Sequence, residues 1–202
     1  MSKKWAGSIL ILSLLLFTPL LAGCARSPQG NGGGYGMMGG YGGGNVVKDD
    51  KTAESDMAAS LANATVDKSS NTITYTGKIL KIVMFAGPPA YADEKFVIGG
   101  LINPTLRIPQ GANVTMEIIN EDNGMPHGVV ITSANPPYAS TVMMQWIYPG
   151  TSISPIPEAS SGGYPATQAS FVASEAGTYY YLCQYPGHAA VGMYGQIIIG
   201  KI

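Results

Sequence analysis

Gly177-Thr178-Tyr179-Tyr180-Tyr181-Leu182-Cys183-Gln184-Tyr185-Pro186-Gly187-His188-Ala189-Ala190-Val191-Gly192-Met193-Tyr194-Gly195 is the stretch that decides how this chain is read. A thiol, an imidazole and a thioether stand at 183, 188 and 193, with four residues between each and the next. A β-type run at 178–182 delivers the thiol, Pro186-Gly187 signals a turn, and a second β run at 196–199 leads away. Three soft or borderline donors therefore share one tight loop between two strands. Sulfur with imidazole suits copper, and two His, one Cys and a long axial Met make up a blue-copper electron-transfer site. The set needs a second imidazole, and the only other histidine is His127, after Gly124-Met125-Pro126 at the start of a further β run.

The loop resembles the copper loop of the cupredoxins, most closely that of the rusticyanins; sulfocyanins are a related family with a similar loop. Other segments resemble rusticyanins in the same order: Asn71-Thr72-Ile73-Thr74-Tyr75-Thr76-Gly77, Asn103-Pro104-Thr105-Leu106, Ile108-Pro109-Gln110-Gly111-Ala112 and Pro136-Pro137-Tyr138-Ala139. The resemblance covers residues 46–202. It implies a type 1 copper held by His127, Cys183, His188 and Met193. It also implies that the edge of His188 lies near the surface as an electron port, in an uncharged patch of Tyr185, Pro186, Ala189 and Val191. One position departs from the family: Gly128 follows His127, where relatives often carry a polar side chain near the thiolate. Asn123 and Asp122 are the nearest substitutes.

Charge is sparse and uneven. Charged residues make up 11% of the chain, and beyond Asp122 they are Glu158, Glu175 and Lys201 alone. Without a leader carrying Lys3 and Lys4, 9 basic residues face 12 acidic ones, a net charge near −3. Nothing in this balance suggests nucleic acid, which would want a basic patch. The nearly neutral half that holds the proposed site suits an apolar docking face. Few carboxylates also mean few native ion pairs to lose in acid.

Residues 1–23 read as a lipoprotein signal peptide: Lys3-Lys4, an apolar run from 6 to 21, then Leu21-Ala22-Gly23-Cys24, which resembles a lipobox with Cys24 as the lipidated residue. Cys24 and Cys183 sit in separate motifs, so no disulfide is expected between them. Residues 24–45 form a Gly-rich tether with an r.m.s. reach of roughly 25 Å over its last 19 residues. Met37 and Met38 within it offer thioethers, although a plain linker explains them. Lipidation places the domain outside the cytoplasm, periplasmic or on the cell surface, anchored to a membrane.

Residues 46–202 form the folded domain. Ala53, Met57 and Leu61, with Ala58 beside them, predict a short N-terminal helix with a thin apolar stripe. From Asn71 the period becomes two: Ile73/Tyr75, Leu80/Ile82/Met84, Leu106/Ile108 and Val114/Met116/Ile118. Val83 breaks the alternation and predicts a strand buried on both faces. Gly, Pro and Asn punctuate the strands, while 149–167, rich in Pro, Ser and Gly, predicts irregular loop. Met116, Met125, Met143, Met144 and Trp146 are expected to pack. The fold expected is all-β, a Greek-key β-sandwich of cupredoxin type with one short helix.

The expectation is a monomeric one-electron carrier with one copper, not an enzyme. It binds no small-molecule substrate and serves redox proteins such as cytochromes or a terminal oxidase. By family resemblance it belongs to an extracytoplasmic respiratory chain, with iron oxidation in an acidophile as its setting. The alternative is a copper delivery or storage lipoprotein, which would need Met-rich ligands and an exchangeable ion. Multicopper oxidases need many more histidines than two.

Overall fold

Apolar residues at alternate positions of most strands build two sheets that pack their apolar faces together. The structure is a computed structural model that describes residues 45–92, 94–141, 148 and 150–202. The leader, Cys24, Met37, Met38, Met143, Met144 and Trp146 lie outside the described residues. Strands β1 (Val46–Lys48), β4 (Ile79–Ala86), β5 (Phe96–Ile98), β6 (Leu101–Ile102), β8 (Asn113–Asn120) and β11 (Tyr164–Val172) form one sheet, in the order β1-β11-β8-β4-β5-β6. The other sheet holds β2 (Ala64–Asp67), β3 (Thr72–Tyr75), β7 (Thr105–Pro109), β9 (His127–Thr132), β10 (Ile153–Ile156), β12 (Gly177–Leu182) and β13 (Tyr194–Gly200). Its order is β10-β9-β12-β13-β7-β3-β2. Sequence neighbours are often apart in the sheets, and the β4–β8, β3–β7 and β7–β13 pairs are parallel. This is the Greek-key sandwich expected.

The period-two positions face inward. Ile73, Tyr75, Ile82, Met84, Leu106 and Ile118 are all buried in one core shared by the sheets. Val83 is fully buried as well, so β4 is covered on both faces.

The helix α1 (Asp50–Ser60) starts where Asp49 caps it, its side chain accepting from the Thr52 N–H at 2.7 Å. Ala53 and Met57 are buried, Leu61 packs against the core and Ala58 is exposed. The chain before the helix is not part of it. Val46–Lys48 forms β1, which pairs with β11 and is tied inward by Lys48, whose ammonium bonds Asp56 and Glu117. Lys81 completes the square, 2.9 Å from Glu117. These four charges join β1, α1, β4 and β8.

The expectation of irregular loop over 149–167 needs correcting. Within it lie β10 and the start of β11, since Ile153, Ile156 and Ala166 are buried where the two strands join their sheets. The Pro, Ser and Gly content hid them because β10 is short and Pro155 stands inside it, a sign of an edge strand.

The helix also brings carboxylates together. Asp50 and Glu54 of α1, Glu121 just beyond β8 and Tyr164 of β11 line a cavity of about 470 Å³. Burial first, then the charges of Asp50 and Glu54, pushes the Glu121 carboxyl up to about 7 from its ordinary 4.5. A carboxyl raised in the folded state holds its proton more tightly there than in the unfolded chain. Its contribution is therefore most favourable below pH 4.5 and is lost as pH rises through about 7. Glu121→Gln should be more stable than the parent at about pH 8 by on the order of 1 kcal/mol, discounted for the partial exposure of Glu121. The two should match at about pH 4. Urea unfolding at both pH values measures this, and a parent as stable as the variant at the higher pH would contradict it.

Candidate metal centre

His127 opens β9, and Cys183 directly follows the end of β12. The two strands pair antiparallel, Leu182 opposite Val130 and Tyr180 opposite Thr132, which sets the ends carrying His127 and Cys183 side by side. The loop from Cys183 to Met193 then returns to β13, itself the other neighbour of β12. Backbone hydrogen bonds close this loop on itself. Cys183 N–H donates to Met193 O at 3.0 Å, Met193 N–H to His188 O at 2.9 Å, and His188 N–H to Tyr185 O at 3.2 Å. Neighbouring segments hold it from outside: Gly187 N–H donates to Ser140 O at 2.7 Å, and Asn103 Nδ2 donates to Gly192 O at 2.8 Å.

The result is a buried cluster. His127 Nδ1 and His188 Nδ1 lie 3.1 Å apart, with Cys183 Sγ 3.8 Å from the first and 3.5 Å from the second. A circle through these three atoms has a radius of about 2.0 Å. Metal–nitrogen bonds are about 2.0 Å and metal–thiolate bonds about 2.3 Å, so the spacing of these donors would suit a single ion held by all three. Among the described residues it is the one group of His, Cys and carboxylate donors so placed. Met193 is fully buried at the end of the same loop, and its carbonyl accepts the Cys183 N–H.

Burial governs the protonation of the donors. It pushes the Cys183 thiol up to about 11, a trend opposed by hydrogen bonds from the backbone of Gly128 and Tyr185. A bound cation overrides that penalty and takes the thiolate. Burial also lowers both histidines, against the pull of Asp122 on His127, and so favours the neutral imidazole that ligates.

Gly128 has a steric reason to lack a side chain. A Cβ there would stand 2.5 Å from Ile153 O and 2.8 Å from Pro155 N, inside the backbone of β10. The polar contact to the thiol comes instead from the Gly128 backbone. Asp122 bonds the far nitrogen of His127, with Oδ2 3.0 Å from Nε2, and not the sulfur. Asn123 is exposed.

Two expectations about the surface need correcting. His188 is 2% exposed, and its Nε2 is sealed without a hydrogen-bond partner among the described residues. The Tyr185 ring, 4.7 Å away, packs against it. Ala189 is also buried, in a small cluster with Val130 and Leu182, because the loop turns it inward. Of the proposed patch, Pro186 and Val191 are exposed, with Ala190 beside them, and Tyr185 is half-buried. Sequence reading also missed Asn103, which looked like turn punctuation. In the structure it adopts a positive φ of 46°, a conformation Asn tolerates better than most residues, and its side-chain amide reaches the loop that carries Cys183 and His188.

Comparison with known proteins agrees with this geometry. The profile of copper binding proteins of the plastocyanin/azurin family matches residues 102–200. The rusticyanin of Acidithiobacillus ferridurans is 42% identical over 141 residues, covering 70% of this chain and 74% of that protein. A rusticyanin of Acidithiobacillus ferrooxidans is 41% identical over the same length. A solved structure of rusticyanin from Thiobacillus ferrooxidans superposes with a TM-score of 0.68 at 34% identity, covering 77% of this chain and 97% of that one. Reduced rusticyanin gives a TM-score of 0.67 at 32% identity, covering 77% of this chain and 99% of that one. Identity at this level over three quarters of a rusticyanin gives the buried His, Cys, His cluster its reading: the chain belongs to the rusticyanin family of cupredoxins and is a blue copper electron-transfer protein with one type 1 copper.

Proposed function

We propose that His127, Cys183 and His188 would hold the copper, with Met193 as a weaker fourth donor. The convergence of two Nδ1 atoms and one Sγ around a single point carries this reading. Copper, when bound, supplies one-electron cycling between Cu(II) and Cu(I). The chain keeps its donors in one arrangement for both states, because the loop's own backbone bonds and those to Ser140 and Asn103 leave it little freedom. Full burial keeps water from the donors and opposes a delivery or storage role, which needs an exchangeable ion.

The carrier works outside the cytoplasm, tied to a membrane through Cys24 and the Gly-rich tether, and passes electrons between larger redox proteins of a respiratory chain. It turns over no substrate and works as a monomer. The leader-like residues 1–23, the 42% identity to a rusticyanin and the sparse charge near the site support this reading. So does Glu121, whose raised carboxyl favours the fold in acid.

Tyr185 covers His188, so electrons pass through or beside its ring, and the contact surface centres on Pro186, Ala190 and Val191. Val191 is 57% exposed. A partner that buries this apolar spot tolerates no unpaired charge there. Val191→Asp should slow electron exchange with a cytochrome by roughly tenfold, about 1.4 kcal/mol in barrier, and leave the copper spectrum unchanged. Equal rates in stopped-flow would place the exit on another face.

The visible spectrum of the copper-loaded protein tests the centre itself. An intense blue absorption is expected from the Cys183 thiolate, and a colourless oxidised protein would overturn the assignment. Met193 is tested by sign. Removing its thioether with Met193→Leu costs the oxidised site more than the reduced one, so the reduction potential should rise modestly. Met193→Gln brings a harder oxygen and should lower it. A Met that only filled the core would show a volume-conserving Leu swap costing less than about 1.5 kcal/mol and no signed shift. Voltammetry showing both variants moving the same way would remove Met193 from the ligand set.

A further inference from the structure

Gly128 brings no side chain to the centre, and the carboxylate that reaches it comes from five residues before His127. Asp122 Oδ2 lies 3.0 Å from His127 Nε2. Its other oxygen, Oδ1, accepts the N–H of Gly124 at 2.8 Å and of Met125 at 3.2 Å. The Asp122 N–H donates to Asn120 Oδ1 at 3.1 Å, and its carbonyl accepts from Ala159 N–H at 2.6 Å. Gly87 makes room for this residue. It holds a φ of +57°, and a Cβ on it would stand 2.7 Å from Asp122 Cβ and 2.8 Å from Oδ2. The carboxylate is thus clamped, one oxygen for the loop before β9 and one for the imidazole.

Two consequences follow from chemistry alone. A carboxylate only accepts, so the His127 nitrogen facing it must carry the proton. That leaves the lone pair on Nδ1, the atom that faces Cys183 Sγ and His188 Nδ1. A carboxylate bonded to the outer nitrogen of a ligating histidine also fixes the ring and raises its donor strength. The Asp122 side chain is 15% exposed and His127 is fully buried, so this negative charge acts through a weakly screened path. It stabilises the more positive, oxidised centre over the reduced one.

We propose that Asp122 is a positioning residue of the copper centre: its two oxygens fix the Nε2–H tautomer of His127, and its charge holds the reduction potential below the value an uncharged residue would give. This rests on His127 being a copper ligand. Asparagine cannot replace it fully. It offers one acceptor oxygen, so it satisfies either His127 or the Gly124 and Met125 amides, not both.

The test uses Asp122→Asn and Asp122→Ala with the parent at one fixed neutral pH. In the copper-free parent, nitrogen NMR of His127 should show the Nε2–H tautomer alone, and in Asp122→Ala a mixture of tautomers. In the copper-loaded proteins, Asp122→Asn should keep the blue band and shift the one-electron equilibrium toward the reduced form by about tenfold, which is 59 mV. A parent His127 protonated on Nδ1 would overturn the proposal, as would an Asp122→Asn equilibrium within about twofold of the parent. His127→Ala separates this from the ligand assignment. If His127→Ala keeps an unaltered blue band, the ligand set itself fails and the role of Asp122 with it. If it bleaches the protein while Asp122→Asn leaves the potential unmoved, the ligand set stands and the role of Asp122 falls.

Discussion

The pairing of β9 with β12 is the contact on which the centre depends. His127 and Cys183 lie 56 residues apart in the chain, and three cross-strand pairs near their ends bring them together. β12 is a middle strand, with β13 on its other side, so its position cannot drift without breaking two ladders. The ligand loop spans the gap between β12 and β13 and is closed by the amide of Cys183 on the carbonyl of Met193. One ladder therefore places the thiol and the first imidazole, and the other places the second imidazole and the thioether. The core that fixes both ladders is shared by the two sheets, so the site inherits the rigidity of the whole sandwich.

The strand that sequence composition concealed has its own effect on the centre. β10 lies against β9 at Gly128 so closely that any side chain there would enter its backbone. The space that would hold a polar side chain near the thiol is filled by main chain, and the Gly128 backbone makes the contact to the sulfur itself. Covering continues on the loop side, where Tyr185 packs on His188. Donors sealed in this way lose solvent stabilisation of charge, and a low-dielectric surrounding favours the less charged, reduced state of a metal centre. The anionic Asp122 on the far side of His127 acts in the opposite direction. The balance of these two effects is a property of how the strands pack.

Charge follows the same division across the molecule. The ion pairs of Lys48 and Lys81 with Asp56 and Glu117 anchor the N-terminal extension to β4 and β8. The carboxylates of Asp50, Glu54 and Glu121 gather in the cavity under the helix. The strands that carry the ligands have almost no charge. Net charge and carboxylate protonation can therefore change with pH at the extension while the surface around Pro186 and Val191 keeps its apolar character.

Local chemistry was legible in the sequence wherever a short stretch carries the whole signal. Cys183, His188 and Met193 share one loop whose length sets their separation, so their grouping needed no tertiary information. The strands around Ile73, Ile82, Leu106 and Ile118 were legible because alternation states which face is buried. The copper reading of His127 came from the missing imidazole and from family resemblance; its place beside Cys183 is a matter of strand pairing. Tertiary structure alone decided the burial of His188 and Ala189, because a turn residue's exposure depends on what packs over it. It alone revealed β1 and β10, short edge strands whose buried residues are too few to show a period. The partner of Asp122 was likewise invisible in sequence, since the spacing to His127 does not say which nitrogen a carboxylate will meet. A sequence records the donors a segment offers; their directions are set by backbones from distant segments meeting in one place.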